Sequence, residues 1–134
     1  MKKLQKISLS QALKIHDVEL KRFGGIQGIR DISLLTSALG QVDLYLFGKE
    51  IYSAPHEIAG VYAFHIIKNH PFLDGNKRTG IAIALIFLRI NNYYLKATIT
   101  ELYDFTMQIA SSNISKEDVL IFFKQRILPL TINS

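Results

Sequence analysis

The sequence contains no cysteine, and this absence excludes several kinds of site at once. Disulfide frameworks, thiolate zinc sites, iron–sulfur clusters and thiol nucleophiles all require cysteine. The absence also fits a reducing compartment. A basic segment, MKKLQKISLS, opens the chain, but no long apolar stretch follows it, so we expect no secretory signal and a cytoplasmic location. The most apolar run, residues 80–88, is too short to span a bilayer, and we expect no membrane partner.

Several common nucleotide and metal motifs are also missing. The chain has neither G-x-x-x-x-G-K-[ST] nor G-x-G-x-x-G, so it is not a P-loop or Rossmann-type phosphate binder. His56-Glu57 begins like a zinc-protease helix, but Gly60 stands where the second histidine is needed. The net charge is +5, yet no window forms a basic tract interleaved with aromatic residues. Direct binding to nucleic acid is therefore not expected, whereas nucleotide phosphates or an acidic protein partner suit a mildly basic chain.

What the sequence does contain is a helical hydrophobic pattern nearly throughout. A chain of 134 residues, 49% of them hydrophobic and 20% charged, predicts one soluble globular domain over residues 1–134. A domain of this size needs no disulfide or structural metal to fold. Capping residues and a well-placed proline predict an all-α fold, a compact bundle of about six helices. The predicted helices begin near Ser8, Asp31, Pro55, Asn76, Thr98 and Ser115.

The ends of the helices and the short extended pieces follow from local signals. The pair Gly24-Gly25 ends the first helix, and the second is expected to carry Leu46 on its inner face. Pro71 ends the third helix at about Asn69 or His70, because the residue before a proline avoids the α region. A break is expected at residues 48–50, with short extended pieces at 51–53 and 93–97.

The fourth predicted helix is the most apolar. It runs from near Asn76 to about Asn91 and has apolar residues on nearly every side. This pattern is typical of a buried central helix. The residues before it, from His70 to Gly75, are therefore expected to form a loop held between two helices with apolar faces.

Residues 70–80, HPFLDGNKRTG, concentrate unusual chemistry at this loop and the start of the fourth helix. The first N–H groups of a helix have no intrahelical partner and lie at the positive end of its dipole. Residues Asn76 to Thr79 occupy that position and predict an anion site, most simply for phosphate. Lys77 and Arg78 add two cations at the same place, the arginine as a fork and the lysine as a point charge.

The other loop residues have complementary uses. Asp74 would be repelled by a bare phosphate, but it suits a divalent cation that bridges it to phosphates. Gly75 lets the backbone turn and approach a ligand closely. A histidine takes up a proton near neutral pH, which makes His70 a candidate base. Phe72 is expected to fill the core and fix the loop.

Each of these residues also has an interpretation without chemistry. Asp74-Gly75-Asn76 alone is typical of a turn followed by a helix cap, Lys77 and Arg78 suit a solvated face, and His70 suits a surface. The conjunction favours a site, because two cations at a helix N-terminus oppose the dipole at a cost of about 1 kcal/mol unless an anion binds. The remaining histidines are expected to be packed or surface residues; they lie at positions 16, 56 and 65.

The loop resembles the signature of the Fic/Doc superfamily, H-x-F-x-[DE]-G-N-G-R-x-x-R. The matching residues are His70, Phe72, Asp74, Gly75, Asn76 and Arg78. Lys77 replaces the glycine before the arginine, and Ile81 replaces the final arginine. Both departures are similar to the Doc branch, whose loop reads close to H-x-F-x-D-[AG]-N-K-R-T-[AG]. The segments RFGG at 22–25 and GIRD at 28–31 also resemble Doc proteins, so the resemblance covers most of residues 17–126.

This resemblance implies transfer from Mg²⁺-bound ATP to a hydroxyl group of a protein. Fic proteins transfer AMP, whereas Doc toxins transfer the γ-phosphate to a threonine of translation elongation factor Tu and so block translation. It further implies that His70 is the general base and that Asp74 holds Mg²⁺. The resemblance also implies that the phosphates of ATP are bound by Gly75, Asn76, Lys77, Arg78 and Thr79. Lys77 and Arg78 are implied to act in catalysis as well.

The two departures from the Fic pattern favour the Doc reaction. Without the final arginine the nucleotide loses a contact to its phosphate tail, and the Lys77 side chain occupies space that glycine leaves for the phosphates. Together these changes suit a nucleotide turned round, with its γ-phosphate at the point of attack. Fic-type adenylylation is the alternative, and a catalytically silent Fic-fold binding module is a third hypothesis.

The resemblance also implies protein partners. Fic proteins are restrained by a helix bearing [ST]-x-x-x-E-[GN]; residues 53–57 have the first spacing, but Ile58 ends the match, and we interpret it as chance. Doc toxins are instead restrained in trans by the disordered tail of a Phd antitoxin. A Phd-like antitoxin and a translation factor as substrate are therefore expected. The break at residues 48–53 resembles the flap that pairs with the backbone of the target.

Overall fold

The protein is described here from a computed structural model, which covers residues 3–131. Six α-helices make up most of this part, which confirms the predicted all-α bundle. The helices are α1 (Leu9–Phe23), α2 (Ile32–Gly40), α3 (Pro55–Asn69), α4 (Asn76–Ile90), α5 (Ile99–Ala110) and α6 (Lys116–Arg126).

Local capping explains why the helices begin where the sequence predicts. Ser8, Thr98 and Ser115 each accept a hydrogen bond from the backbone N–H three residues later, and the side chain at that later position returns the bond. At α3 the Glu57 carboxylate caps the helix, accepting from the N–H groups of Ser53 and Ala54 at 3.2 and 3.0 Å. This carboxylate therefore serves its own helix, in agreement with the interpretation of residues 53–57 as a chance match.

Two small antiparallel strand pairs complete the described part. β1 (Tyr45–Leu46) pairs with β2 (Lys49–Glu50), and β3 (Tyr93–Leu95) pairs with β4 (Ile127–Pro129). The sequence predicted an extended piece at β3 but not its partner β4. The extended piece predicted at residues 51–53 follows β2 instead of forming a strand.

The prediction that Leu46 lies on the inner face of the second helix is wrong. That helix ends at Gly40, a short 3₁₀ turn follows at Gln41–Asp43, and Leu46 lies in β1 with 59% of its surface exposed. The hairpin turn explains the difference. Phe47 and Gly48 both have positive φ angles, 51° and 77°, as a two-residue hairpin turn requires.

Helix α3 packs against α2, α4, α5 and α6 and so lies at the centre of the bundle. Helix α4, which the sequence predicted to be central, packs most extensively against α3. Its residues Ile83, Phe87 and Leu88 are completely buried. Gly80 permits the close approach of the two helices, since a Cβ atom there would lie 2.8 Å from a side-chain carbon of Ile67. The burial is not complete on every side, however: Ile86 is 39% exposed, and the turns around it face the cavity described below.

All six helices contribute to one cluster of buried apolar side chains. The largest members, completely buried, include Tyr62 on α3, Phe72 in the loop before α4 and Phe123 on α6. A loop residue is thus packed as deeply as helical ones, which ties the loop to the core. Within residues 3–131, no helix combines the length and the apolar character needed to cross a membrane.

Candidate active site

The loop between α3 and α4 opens into a cavity of about 950 Å³. Most of the site residues predicted from the sequence line this cavity, namely His70, Asp74, Gly75, Asn76, Lys77 and Arg78. The side chain of Thr79 does not. It is completely buried, and its backbone N–H donates to the carbonyl of Gly75 at 2.9 Å. The structure therefore leaves Thr79 outside the cavity wall, although the sequence placed it among the phosphate ligands.

His70 lies immediately after α3 and is exposed at the cavity. Its backbone is in the left-handed region, with φ 54° and ψ 54°. This conformation turns the chain out of α3 and into the loop. A residue other than glycine holds such a conformation only where its surroundings enforce it.

Phe72 anchors the loop. Its ring is completely buried and stacks on the ring of His16 from α1, with centroids 3.7 Å apart and planes within 5°. The side chain of Asn76 makes two hydrogen bonds to the backbone of Phe72. It accepts from the N–H and donates to the carbonyl, both at 2.9 Å. Because the Asn76 amide is used in this way, its contribution to binding phosphate falls to its backbone N–H at the start of α4.

His16, which the sequence placed only among packed or surface histidines, supports the loop directly. It is 6% exposed, and its Nε2 lies 2.9 Å from the carbonyl oxygen of Asp74. A carbonyl only accepts, so Nε2 carries the hydrogen and donates it. No motif in the sequence connects this position on α1 with residue 74, because the contact spans 58 residues.

The Asp74 carboxylate is oriented by two backbone groups. It accepts from the N–H of Ile26 at 3.0 Å and from the N–H of Gly75 at 2.8 Å. These bonds, that from Ile26 first, lower the pKa of Asp74 below its ordinary value, which keeps the side chain charged. Gly25 makes the approach possible: its φ is +132°, and a Cβ atom there would lie 2.8 Å from a carboxylate oxygen of Asp74.

Gly75 takes the left-handed conformation that the turn into α4 needs, with φ 79° and ψ 17°. Any larger residue would be strained in this backbone conformation. A Cβ atom would also lie 3.3 Å from Leu20. The backbone turn predicted at Gly75 is confirmed, and its close approach to a ligand stays a prediction.

The two cations at the start of α4 are held differently. Lys77 is exposed and lines the cavity. Arg78 donates from Nη2 to the carbonyl of Gly24 at 2.8 Å, and its guanidinium lies over the ring of Phe23, 5.3 Å from the centroid. Arg78 is therefore pre-oriented at the end of α1, whereas Lys77 extends from the exposed surface of α4 as a point charge.

The residues present fit a nucleotide with a divalent cation better than a metal bound by protein alone. Among residues 3–131, no three histidine or acidic side chains are grouped to hold a metal ion. A single charged carboxylate, Asp74, suits a cation whose other ligands are phosphate oxygens and water, as is usual for Mg²⁺. The helix N-terminus with Lys77 and Arg78 suits those phosphates, and the cavity volume lies in the range of ligand sites.

Beyond the loop, the cavity continues along an apolar wall. Residues of α4 form one side of it, including Ile81, Leu85 and Ile86. Residues of α5 form the other side, where Ile99 is 88% exposed and Tyr103 64% exposed. Charge is thus concentrated at one end of the cavity, and apolar surface at the other.

The sequence is similar to known proteins over most of its length. The Fic/DOC family model matches residues 6–88. The chain is 31% identical over 116 residues to the protein named Protein kinase doc of Escherichia phage P1, covering 87% of this chain and 90% of that protein. It is 36% identical over 75 residues to Toxin Doc of Mycolicibacterium smegmatis, covering 56% of this chain and 58% of the relative. The matched family segment contains the loop, the end of α3 and nearly all of α4, so the chain belongs to the Fic/DOC family and, within it, to the Doc branch.

Proposed function

We propose that this protein is a Doc-type toxin that transfers the γ-phosphate of ATP to a hydroxyl group of a target protein, a threonine of translation elongation factor Tu by resemblance. One observation carries the proposal. A single anchored loop brings an exposed histidine, a charged carboxylate and two cations to the same end of one cavity. The names of the relatives, which include a protein kinase and a toxin, support the same reaction class.

In this reaction His70 accepts the proton of the target hydroxyl. As that O–H bond breaks, the hydroxyl oxygen forms a bond to the γ-phosphorus, and the bond from this phosphorus to the β–γ bridging oxygen breaks. ADP leaves with the bridging oxygen. The exposure of His70 at the cavity supports this role, since the base must reach a hydroxyl supplied by another protein.

The remaining residues bind and orient the nucleotide. Asp74 would hold Mg²⁺, which when bound supplies positive charge to the phosphates. Lys77, Arg78 and the first N–H groups of α4 would hold the phosphate oxygens. The tether of Arg78 to Gly24 and Phe23 fixes its position before the nucleotide arrives, which reduces the entropy lost on binding.

The position of Ile81 favours transfer of the γ-phosphate over transfer of AMP. Ile81 lines the cavity one turn after Lys77, where the Fic signature has its final arginine. An apolar side chain there makes no bond to a phosphate tail, whereas Lys77 attracts phosphate closer to His70. The groove thus suits a nucleotide whose outermost phosphate lies nearest the base.

An extract incubated with purified protein and labelled ATP tests the proposal. ATP labelled at the γ-phosphate should label a protein of the extract, and ATP labelled at the α-phosphate should label none. Label from the α-position only would establish adenylylation instead. The absence of label from either position, with nucleotide binding intact, would favour the binding-module hypothesis.

We further propose a Phd-like antitoxin as a partner that restrains the toxin in trans. The exposed apolar wall between α4 and α5, continuous with the loop, supports this proposal. A partner segment folded there would cover Ile99 and Tyr103 and close the cavity. Coexpression with an antitoxin should relieve growth arrest, and substituting Ile99 by aspartate should abolish that relief while leaving labelling of the target unchanged.

A further inference from the structure

We propose that Arg30 is a positioning residue that holds His70 in its reactive orientation by bracing the end of α3. The proposal rests on the proposed function for the role of His70. Its structural part stands on the contacts of Arg30 alone. Arg30 lies between α1 and α2, outside both the loop signature and the cavity lining.

The need for a brace comes from the backbone of His70. Its φ of 54° and ψ of 54° place a residue with a side chain in the left-handed region, and a proline follows it. Such strained conformations at functional sites persist only where the surrounding structure enforces them. The same point is the C-terminus of α3, where the last carbonyl groups have no intrahelical partner.

Arg30 meets both needs with one guanidinium group. Its Nε donates to the carbonyl of His70 at 2.7 Å, and its Nη2 donates to the carbonyl of Asn69 at 2.8 Å. A planar fork of this kind fixes the relative orientation of two successive carbonyls. The positive charge also lies at the negative end of the α3 dipole, where a cation is favourable.

The position of Arg30 is itself fixed by the loop. The N–H groups of Arg30 and Asp31 both donate to the carbonyl of Pro71, at 2.7 and 3.0 Å. Two residues further along, the N–H of Leu73 donates to the carbonyl of Gly28 at 3.1 Å. The segment before α2 therefore runs beside the loop like a short strand. The Arg30 guanidinium binds the chain just before the loop, at the end of α3.

Arg30 does not line the cavity, so it has no contact through which to bind the nucleotide. Its effect on the reaction must therefore pass through His70. This separates it from Lys77 and Arg78, whose loss should weaken nucleotide binding. Loss of Arg30 should reduce the rate of transfer while nucleotide affinity stays the same.

The test compares Arg30→Ala, Arg30→Lys and the control Arg89→Ala, which removes an exposed arginine at the opposite end of α4. For each we would measure γ-phosphate transfer in an extract, binding of Mg²⁺–ATP by calorimetry, unfolding by denaturant and amide hydrogen exchange. Misplacement of a catalytic group lowers rates by up to about 100-fold. We expect Arg30→Ala to lose about 10- to 100-fold in rate, with affinity for Mg²⁺–ATP within about twofold.

Three further results are expected. Exchange in Arg30→Ala should rise at residues 70–75 and stay unchanged in α5 and α6. Arg30→Lys, which can reach only one carbonyl at a time, should recover part of the rate, and Arg89→Ala should match the original protein. A purely structural role would instead lower the stability of the whole chain and reduce rate and nucleotide binding together.

Unchanged hydrogen exchange at residues 70–75 in Arg30→Ala would contradict the proposal that Arg30 positions His70. An unchanged rate of transfer, or an equal loss of rate and nucleotide affinity, would contradict it as well. Failure of the proposed function gives a different result. If the original protein labels no target, the kinase proposal fails, while the exchange measurement still decides whether Arg30 orders the loop.

Discussion

At the scale of single residues, the site separates chemistry from support. His70, Asp74 and Lys77 present their side chains to the cavity. The Asn76 amide and the His16 ring bind the backbone of the loop instead. A substitution in the first group should therefore change the reaction, and one in the second should change the order of the loop.

Replacing His70 with alanine should abolish transfer and leave folding and nucleotide binding nearly unchanged. The loss of a general base lowers a rate by roughly 100-fold or more. Because His70 is exposed, little packing is lost. Labelling of the target and growth of cells expressing the variant provide the measurement. Growth arrest equal to that of the original protein would remove His70 from the mechanism.

Asp74→Asn should weaken binding of Mg²⁺–ATP and affect Mg²⁺-free ATP far less. The amide loses attraction for the metal, and it also ends the repulsion between the carboxylate and phosphate. The amide has one acceptor oxygen and can keep only one of the two bonds from Ile26 and Gly75, so denaturant unfolding must first establish that the variant is folded. Calorimetry with and without Mg²⁺ measures the difference, and equal weakening in both titrations would make Asp74 a structural residue.

Lys77→Gly combined with Ile81→Arg restores the full Fic pattern and should produce some adenylylation. The new arginine would point along the cavity wall, because Ile81 lines it and is only partly buried. Lys77→Ala alone should lose kinase activity, since a charge-assisted contact of roughly 1.5–3 kcal/mol disappears. Circular dichroism must first establish that the double variant is folded. Transfer of the γ-phosphate alone by that variant would show that other residues orient the nucleotide.

At the scale of elements, the loop is held between α1 and the N-terminus of α4. The turn after α1 supplies the N–H of Ile26 to Asp74 and the carbonyl of Gly24 to Arg78. The two glycines that end α1 are therefore part of the site's scaffold. Both have positive φ angles, 81° at Gly24 and 132° at Gly25, but only Gly25 approaches Asp74.

Gly25→Ala should displace Asp74 and weaken Mg²⁺-dependent binding of ATP. Its Cβ atom would lie 2.8 Å from Asp74 Oδ2 and 2.9 Å from Leu20 Cδ2, and the backbone strain alone costs about 1–3 kcal/mol. Gly24→Ala is the matched control, since it has a similar strain but no atom within 4 Å of the new Cβ. Calorimetry and denaturant unfolding of both variants provide the measurement. Equal losses of affinity in the two would show that backbone strain, not contact with Asp74, is responsible.

At the scale of the whole molecule, the packing of α3 against α6 includes a partly buried histidine, His65, whose Nε2 atom is fully enclosed. Burial, with the nearby positive charge of Lys116, lowers the pKa of His65 to about 4 from the ordinary 6.5. Its Nε2 has no hydrogen-bond partner within residues 3–131. The folded protein therefore keeps His65 neutral at pH values where the unfolded chain takes up a proton.

The stability of the protein should consequently fall as the pH drops below about 6.5. The unfolded state binds the extra proton, so the free energy of unfolding decreases between pH 7 and pH 5, by less than the roughly 2 kcal/mol that such a shift gives for a fully buried group. His65→Phe keeps an aromatic ring beside Phe64 and removes the proton site, and its stability should change less over this range. Hydrogen bonds lower the pKa values of Asp31 and Asp118. Their contribution to the stability of the protein is therefore lost only at more acidic pH. Parallel pH curves for the two proteins would contradict the assignment to His65.

Local sequence signals predict where the six helices begin and where the loop lies. They also predict six of the residues that line the cavity, but they add Thr79, which is buried away from it. Capping residues and Pro71 act within a few positions, so their effects follow from local spacing. The residues that face the cavity are close together in the chain for the same reason: they occupy one turn and the first turn of one helix.

The contacts that support the loop, and the surfaces that remain exposed, depend on long-range packing. His16, Gly25, Ile26 and Arg30 reach the loop across 39 to 58 positions of sequence, and such contacts depend on how α1 folds back over α4. The same holds for α4: hydrophobic spacing alone does not distinguish a helix face that packs from one that borders a cavity, because both are apolar. Long-range packing makes that distinction, and here it leaves apolar surface exposed beside the charged loop.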